Sequence, residues 1–177
     1  MSGSKQVKYM RQPPEAKNVS QFEQDYRIPR QCKAIARLYT DELMGQGRVE
    51  IADQFLAGDV QFFGPGSEVP VRGREPFKEF ITALRTAFPD LHSEVHVAVE
   101  EQDHVACWLT VHGTHRGPWR GYQPTGRHLE LQAMNLFRFS GDYIIEVRAF
   151  FNVAEYDRQL GKGDGSTFKG APSVFPG

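Results

Sequence analysis

Apolar residues recur every three or four positions through the first half of the chain, and from Leu91 onward polar and apolar residues alternate with a period of two. The first period predicts helices and the second predicts strands. After Pro29, the residues Cys32, Ile35, Leu38, Tyr39 and Leu43 make one apolar helix face, which Gly45 and Gly47 end. Val49 to Leu56 predicts a second helix, with Val49, Ala52 and Leu56 on one side and Gly58-Asp59 at its close. Val60 to Phe63 predicts a short strand stopped by Gly64-Pro65-Gly66. A third helix opens near Arg74. Pro76 suits its first turn, Phe77, Phe80, Ile81, Leu84 and Phe88 form its stripe, and Pro89 forbids continuation.

The strands follow. In Leu91 to Glu100, Val95, Val97 and Val99 are expected on one face and His92, Glu94, His96 and Glu100 on the other. Glu101 to His104 reads as a turn, and Val105 to His112 as a strand with Cys107, Leu109 and Val111 sharing a face. His128 to Phe139 and Tyr143 to Asn152 form two more strands around a tight Ser140-Gly141-Asp142 turn. Val153 to Leu160 predicts a short terminal helix. Three helices and then at least four strands with short turns predict an α+β fold, a curved, mostly antiparallel sheet wrapped around N-terminal helices. A cone of that kind leaves a pocket for a small apolar ligand. The long loop after Gly113 carries His115, Arg116, Trp119, Arg120, Tyr122 and Arg127, and loops on a rigid sheet are a usual place for a binding rim.

Composition narrows the function classes. The 177 residues are enough for one domain with a real core, and 40% hydrophobic with 24% charged residues is ordinary for a globular protein. Residues 1–28 read as a polar arm, 29–161 as the domain, and 162–177 as a Gly- and Pro-rich flexible tail. Phe22, Tyr26 and Ile28 in the arm, and Phe168, Val174 and Phe175 in the tail, could pack onto the body. A net charge of −1 gives no reason to expect nucleic acid or an anionic membrane. No apolar run is long enough to span a bilayer and no signal core is present, so a cytoplasmic protein is the default expectation. Cys32 and Cys107 are expected as buried free thiols. The six His show no metal-ligand spacing, so no metal is expected.

Five blocks stand in order along the chain: GDVQFFGPG, a helix ending AFPDLHSEV, HVACWLTVHGTHRG, PTGRHLEL and FRFSGDYIIE, with RQLG after them. From Ile35 to Gly161 this order resembles the SnoaL-like polyketide cyclases, in the nuclear-transport-factor-two-like superfamily of cone-shaped α+β barrels. The resemblance implies ring closure of polyketides by an intramolecular aldol reaction, with neither metal nor redox cofactor. In the cyclases the last strand typically carries a Trp and, four residues on, an Asp that acts as general acid/base. Counted from Ile145-Glu146, those positions here are Arg148 and Asn152. Asn cannot take up a proton, but it can hold a developing enolate oxygen. By period two, Glu146, Arg148, Phe150 and Asn152 share a face, which by resemblance is the pocket face.

Arg148, Asn152 and the strand-end His112 are therefore the catalytic candidates. Phe63, Trp108, Trp119, Tyr122, His128 and Phe150 are the candidates for binding a small hydrophobic or aromatic carbonyl ligand. The leading expectation is a cofactor-independent cyclase or isomerase acting by acid/base chemistry. The alternatives are a non-catalytic small-molecule binder that has lost the acid/base Asp, an interaction module with a closed cone, and an epoxide hydrolase using Arg148 with Glu146. A homodimer or higher homo-oligomer is expected through the outer face of the sheet.

Overall fold

The structure is a computed structural model and describes residues 30–161. The arm (1–28) and tail (162–177), with their aromatic and aliphatic residues, lie outside the described residues. Six strands, β1 (Leu56–Phe63), β2 (Val71–Arg72), β3 (His92–Glu101), β4 (His104–Thr114), β5 (His128–Ser140) and β6 (Tyr143–Phe151), form one sheet in the order β2-β1-β6-β5-β4-β3. Neighbours run antiparallel except β1 and β6, which are parallel. The sheet is curved but open, with β2 and β3 as its edges, so the expected barrel is an unclosed one. No helix of the described residues is long and apolar enough to cross a membrane.

Helices cover the concave face. α1 (Arg30–Leu38) widens into a π-helical turn (Tyr39–Met44), a 3₁₀ turn (Val49–Ile51) leads into the single-turn α2 (Ala52–Phe55), and α3 (Arg74–Ala87) crosses the sheet. α4 (Val153–Leu160) follows β6. The wide turn changes the helical register, so Tyr39, Thr40 and Leu43 are buried while Leu38, expected on the apolar face, is 40% exposed. Thr40 fits inside because its hydroxyl donates to the Ala36 carbonyl at 2.9 Å. The predicted helix to Leu56 is shorter, because Leu56 already has extended backbone and Gly58-Asp59 lie within β1. β2 has two residues, too few to show any period.

The core lies between α1, α3 and the sheet. Tyr39 stacks on Phe77 at 6.0 Å and meets Phe137 edge-on at 5.0 Å, and Phe62 packs on Phe77 and Phe80, each at 4.9 Å. Cys107 and Leu109 of β4, with Val105, point into this core as the alternation predicts. β3 departs from its pattern. A bulge between Val95 and Val97 turns the strand over, so Val95 packs inward while Val97 (47% exposed) and Val99 (58%) face out. Glu100 is carried inward by the same shift and has one carboxylate oxygen buried. A second, smaller core of Phe88, Leu91, Tyr122, Leu129, Leu131 and Tyr156 sits under the long loop.

Candidate functional site

Register along β5 decides which residues see the inside of the cone. Leu129, Leu131, Ala133, Phe137 and Phe139 are buried on the concave face. Asn135 belongs to the same alternation, is half-buried, and lines a hollow of about 460 Å³. It is central in the sheet, opposite Cys107 of β4 and Ala149 of β6. Its amide has no side-chain hydrogen bond among the described residues, so it offers both a donor and an acceptor to the hollow. Leu109, Val111, Leu131 and Ala133 line the same floor, and Met44, Phe80 and Leu84 form the helical wall. The volume falls in the range of about 300–1,000 Å³ typical of small-molecule sites.

The wall also includes Tyr39 and Tyr156, whose hydroxyls are buried without a hydrogen-bond partner among the described residues. Burial pushes both phenols up, well beyond the usual tyrosine range, so each is a neutral hydroxyl at physiological pH. Among the described residues, no Asp, Glu or His lines the hollow.

The loop between β4 and β5 makes one lip of the mouth. Its base is stitched by His115 N–H donating to the Arg127 carbonyl at 2.9 Å and Gly126 N–H donating to the His115 carbonyl at 2.8 Å. Arg116 and Gly117 N–H both donate to the Ala87 carbonyl at the end of α3, so the loop also closes a helix terminus. Gly117 is required by space: a Cβ there would come within 2.7 Å of the Thr86 carbonyl oxygen. Asp90 accepts from the Thr114 hydroxyl and backbone N–H, both at 2.7 Å, and these bonds hold its carboxyl below the usual range. At the tip, Trp119 and Tyr122 exchange backbone hydrogen bonds at 3.0 and 2.9 Å around Arg120-Gly121. The Trp119 ring packs on Phe80 of α3 at 5.5 Å, and the Tyr122 hydroxyl donates to Asp157 of α4. The Arg120 guanidinium lies across the mouth toward the Pro65 carbonyl of the opposite lip, at 3.5 Å.

The candidates from the sequence divide between two faces. Trp119 lines the hollow, and Phe150 touches its edge while remaining 51% exposed. Tyr122 is buried one layer behind the wall, edge-on to His115 and Tyr156. The others lie outside. Trp108 is 48% exposed on the outer face of β4. His112 stacks between His92 (4.9 Å) and His128 (6.1 Å) in a row across three strands. The described residues contain no group of three or more His, Cys, Asp and Glu placed to hold a metal ion.

Arg148 is also on the outer face, not the pocket face. Its Nε donates to Glu146 at 2.7 Å and its guanidinium lies 3.9 Å from the centroid of the Phe63 ring, which faces outward with it. The inward residues of β6 are Val147, Ala149 and Phe151, one position off the expected set. Asn152 is exposed at the N-cap of α4, where its side chain accepts from Glu155 N–H at 3.2 Å. That explains an Asn at this position without any chemistry. Sequence reasoning missed Asn135, Tyr39 and Tyr156 as site residues, and it placed Arg120 on the rim loop without making it a site candidate.

The family model of SnoaL-like polyketide cyclases matches residues 34–160. Among solved structures, a candidate SnoaL-like polyketide cyclase from Jannaschia sp. CCS1 is similar over 76% of this chain and 93% of its own, at 20% identity and a TM-score of 0.68. IdmH from Streptomyces antibioticus, a candidate polyketide cyclase, is 28% identical over 75% of this chain and 99% of its own, with a TM-score of 0.62. AclR from Streptomyces galilaeus, a candidate hydroxylase, is 25% identical over 75% and 96%, with a TM-score of 0.63. No curated protein matches the chain by sequence.

Proposed function

Because the chain belongs to the SnoaL-like polyketide cyclase family, we propose that its hollow takes up a flat, largely apolar carbonyl compound of polyketide type and promotes enolisation or aldol ring closure there. The observation that carries this reading is Asn135, an amide without a side-chain partner among the described residues, central in the sheet on a mostly apolar floor. An amide N–H aimed into a low-dielectric hollow stabilises negative charge that develops on a carbonyl oxygen. The carbon acid next to that carbonyl loses its proton to water admitted at the mouth. The enolate carbon then attacks a second carbonyl of the same chain, and the resulting alkoxide takes a proton back from water. The apolar walls fold the flexible ligand so that the two carbons meet.

A second reading has its own support. Among the described residues the lining contains no carboxylate or imidazole, and a positioned general base contributes about 10²–10⁴-fold in rate. That favours a carrier or sensor of the same ligand class. Epoxide hydrolysis gains no support, because Arg148 and Glu146 pair on the outer face.

2-Acetylnaphthalene in D₂O separates the two. The enzyme reading expects saturable acceleration of deuterium exchange at the acetyl methyl, lost in Asn135→Leu. The carrier reading expects saturable binding without exchange. If the ketone neither binds nor exchanges, both readings fail.

A further inference from the structure

Inward positions of a strand that covers a core should be apolar, and two strands break that rule at the hollow. On β5 the break is Asn135. On β3 it is Ser93, two residues after Leu91, which packs in the smaller core, and two before Val95, which packs on the larger one. Leu109 and Val111 of β4, the strand between them, keep the rule. Ser93 is half-buried and lines the hollow.

The other hydroxyls of the lining are committed or sealed. Thr40 donates to the Ala36 carbonyl at 2.9 Å. Ser67 donates to the Val69 carbonyl at 2.8 Å and accepts from Val69 N–H at 3.3 Å. The Tyr39 and Tyr156 hydroxyls are buried, which leaves their rings as the lining. The Ser93 hydroxyl has no hydrogen bond among the described residues, and a hydroxyl can both donate and accept. Register sets its place relative to Asn135. Ser93 pairs with Val111 and Asn135 with Cys107, so the two lie on either side of β4 and four residues apart along it. At about 3.4 Å per residue and about 4.8 Å per strand, their backbones are roughly 17 Å apart. Side chains converge over a concave face, so the tips are closer, and a rigid compound of two or three fused rings spans the gap.

We propose that Ser93 is a specificity-determining residue that selects ligands with a second oxygen function, a phenol hydroxyl or a second carbonyl, at the end of the ring system remote from the carbonyl held by Asn135. This rests on the reading of the hollow as a carbonyl-ligand site. An oxygen at that end finds a partner in Ser93, whereas against the apolar wall it loses water and gains nothing. Two polar points at the ends of an apolar floor also fix which way round a flat ligand lies, and so which carbonyl meets Asn135.

2-Acetylnaphthalene and 2-acetyl-6-hydroxynaphthalene, titrated calorimetrically at pH 7, test the assignment in the full chain and in Ser93→Ala. Ser93→Cys, close to serine in shape but only a weak donor, is a second variant that guards against a loss of fold. Wild type should bind the hydroxy ketone about two- to tenfold tighter than the parent ketone. Both variants should lose that preference while binding the parent ketone as before, with thermal midpoints near that of wild type. Equal or weaker binding of the hydroxy ketone by wild type overturns the Ser93 assignment and leaves the carbonyl-site reading intact. A preference that survives in the variants also overturns it. Failure of both compounds to bind wild type overturns the assignment together with the reading beneath it.

Discussion

Replacing Asn135 with Leu separates function from folding, because the two should move in opposite directions. The amide is half-buried among apolar neighbours and has no side-chain hydrogen bond among the described residues. A buried amide without a partner costs about 1–3 kcal/mol by protein mutational measures. Its removal should therefore leave stability unchanged or raise it by up to about 1 kcal/mol, given its partial exposure. Leu has the same branched, four-heavy-atom outline as Asn, and its extra bulk can grow into the hollow, so the floor should stay packed. The loss falls on the ligand oxygen. If the amide only binds a ground-state carbonyl, affinity should drop by about 0.5–1.5 kcal/mol, roughly two- to twelvefold. If it also holds the enolate oxygen, the exchange rate at saturation should fall by about 10²–10³-fold, as for removal of a single oxyanion donor. Urea denaturation gives the first quantity, and deuterium exchange of bound 2-acetylnaphthalene followed by proton NMR gives the second. A variant with unaltered affinity and unaltered exchange would refute the placement of Asn135 at the ligand oxygen. A variant that loses activity only as it loses stability would show that the residue serves the fold.

Other substitutions test the surrounding frame. Asn152→Ala should lower stability by about 1 kcal/mol through loss of the α4 cap, with ligand affinity unchanged by calorimetry. Gly117→Ala forces a Cβ against the Thr86 carbonyl and should destabilise by about 1–3 kcal/mol while weakening ligand binding, because the loop that carries Trp119 and Arg120 must shift. Asp90→Ala should cost on the order of 1 kcal/mol, less than a buried charged hydrogen bond because the residue is exposed. The folded carboxyl sits below its ordinary value of about 3.9. Its contribution is therefore complete above that pH and lost as pH falls through the lower folded value. Urea midpoints should differ by a constant amount from pH 6 to 8, and the wild-type and variant curves should converge below about pH 4.

The element order was legible in the sequence because two strong periods meet at Pro89-Asp90, and each strand from β3 to β6 lies where alternation places it. What periodicity could not show was phase. One bulge after Val95 reverses the expected faces of Val97 and Val99. On β6, the inward set is Val147, Ala149 and Phe151, so Arg148 faces solvent with Glu146 and Phe63. Position counting from Ile145-Glu146 thus pointed to the wrong face. A signal for the floor was present: Asn135 is the one polar residue in the register Leu129, Leu131, Ala133, Asn135, Phe137, Phe139. Trp119 was legible from its Gly- and Pro-rich loop. Arg120 stood in the same loop, but its position across the mouth depends on a turn whose φ values the sequence WRGY does not announce. Tyr39 read as core from helical spacing, and only the π-helical turn and the curvature of the sheet bring its ring to the edge of a hollow.

The two tryptophans lie on opposite faces of the sheet, Trp119 at the hollow and Trp108 outside it. Their indole N–H signals in a ¹H–¹⁵N spectrum, assigned with Trp108→Phe, therefore report directly on where a ligand sits. Titration with 2-acetylnaphthalene should shift the Trp119 signal, together with the side-chain amide pair of Asn135, and leave Trp108 in place. Movement of Trp108 with Trp119 and Asn135 unmoved would put the ligand on the outer face and contradict the assignment of the hollow.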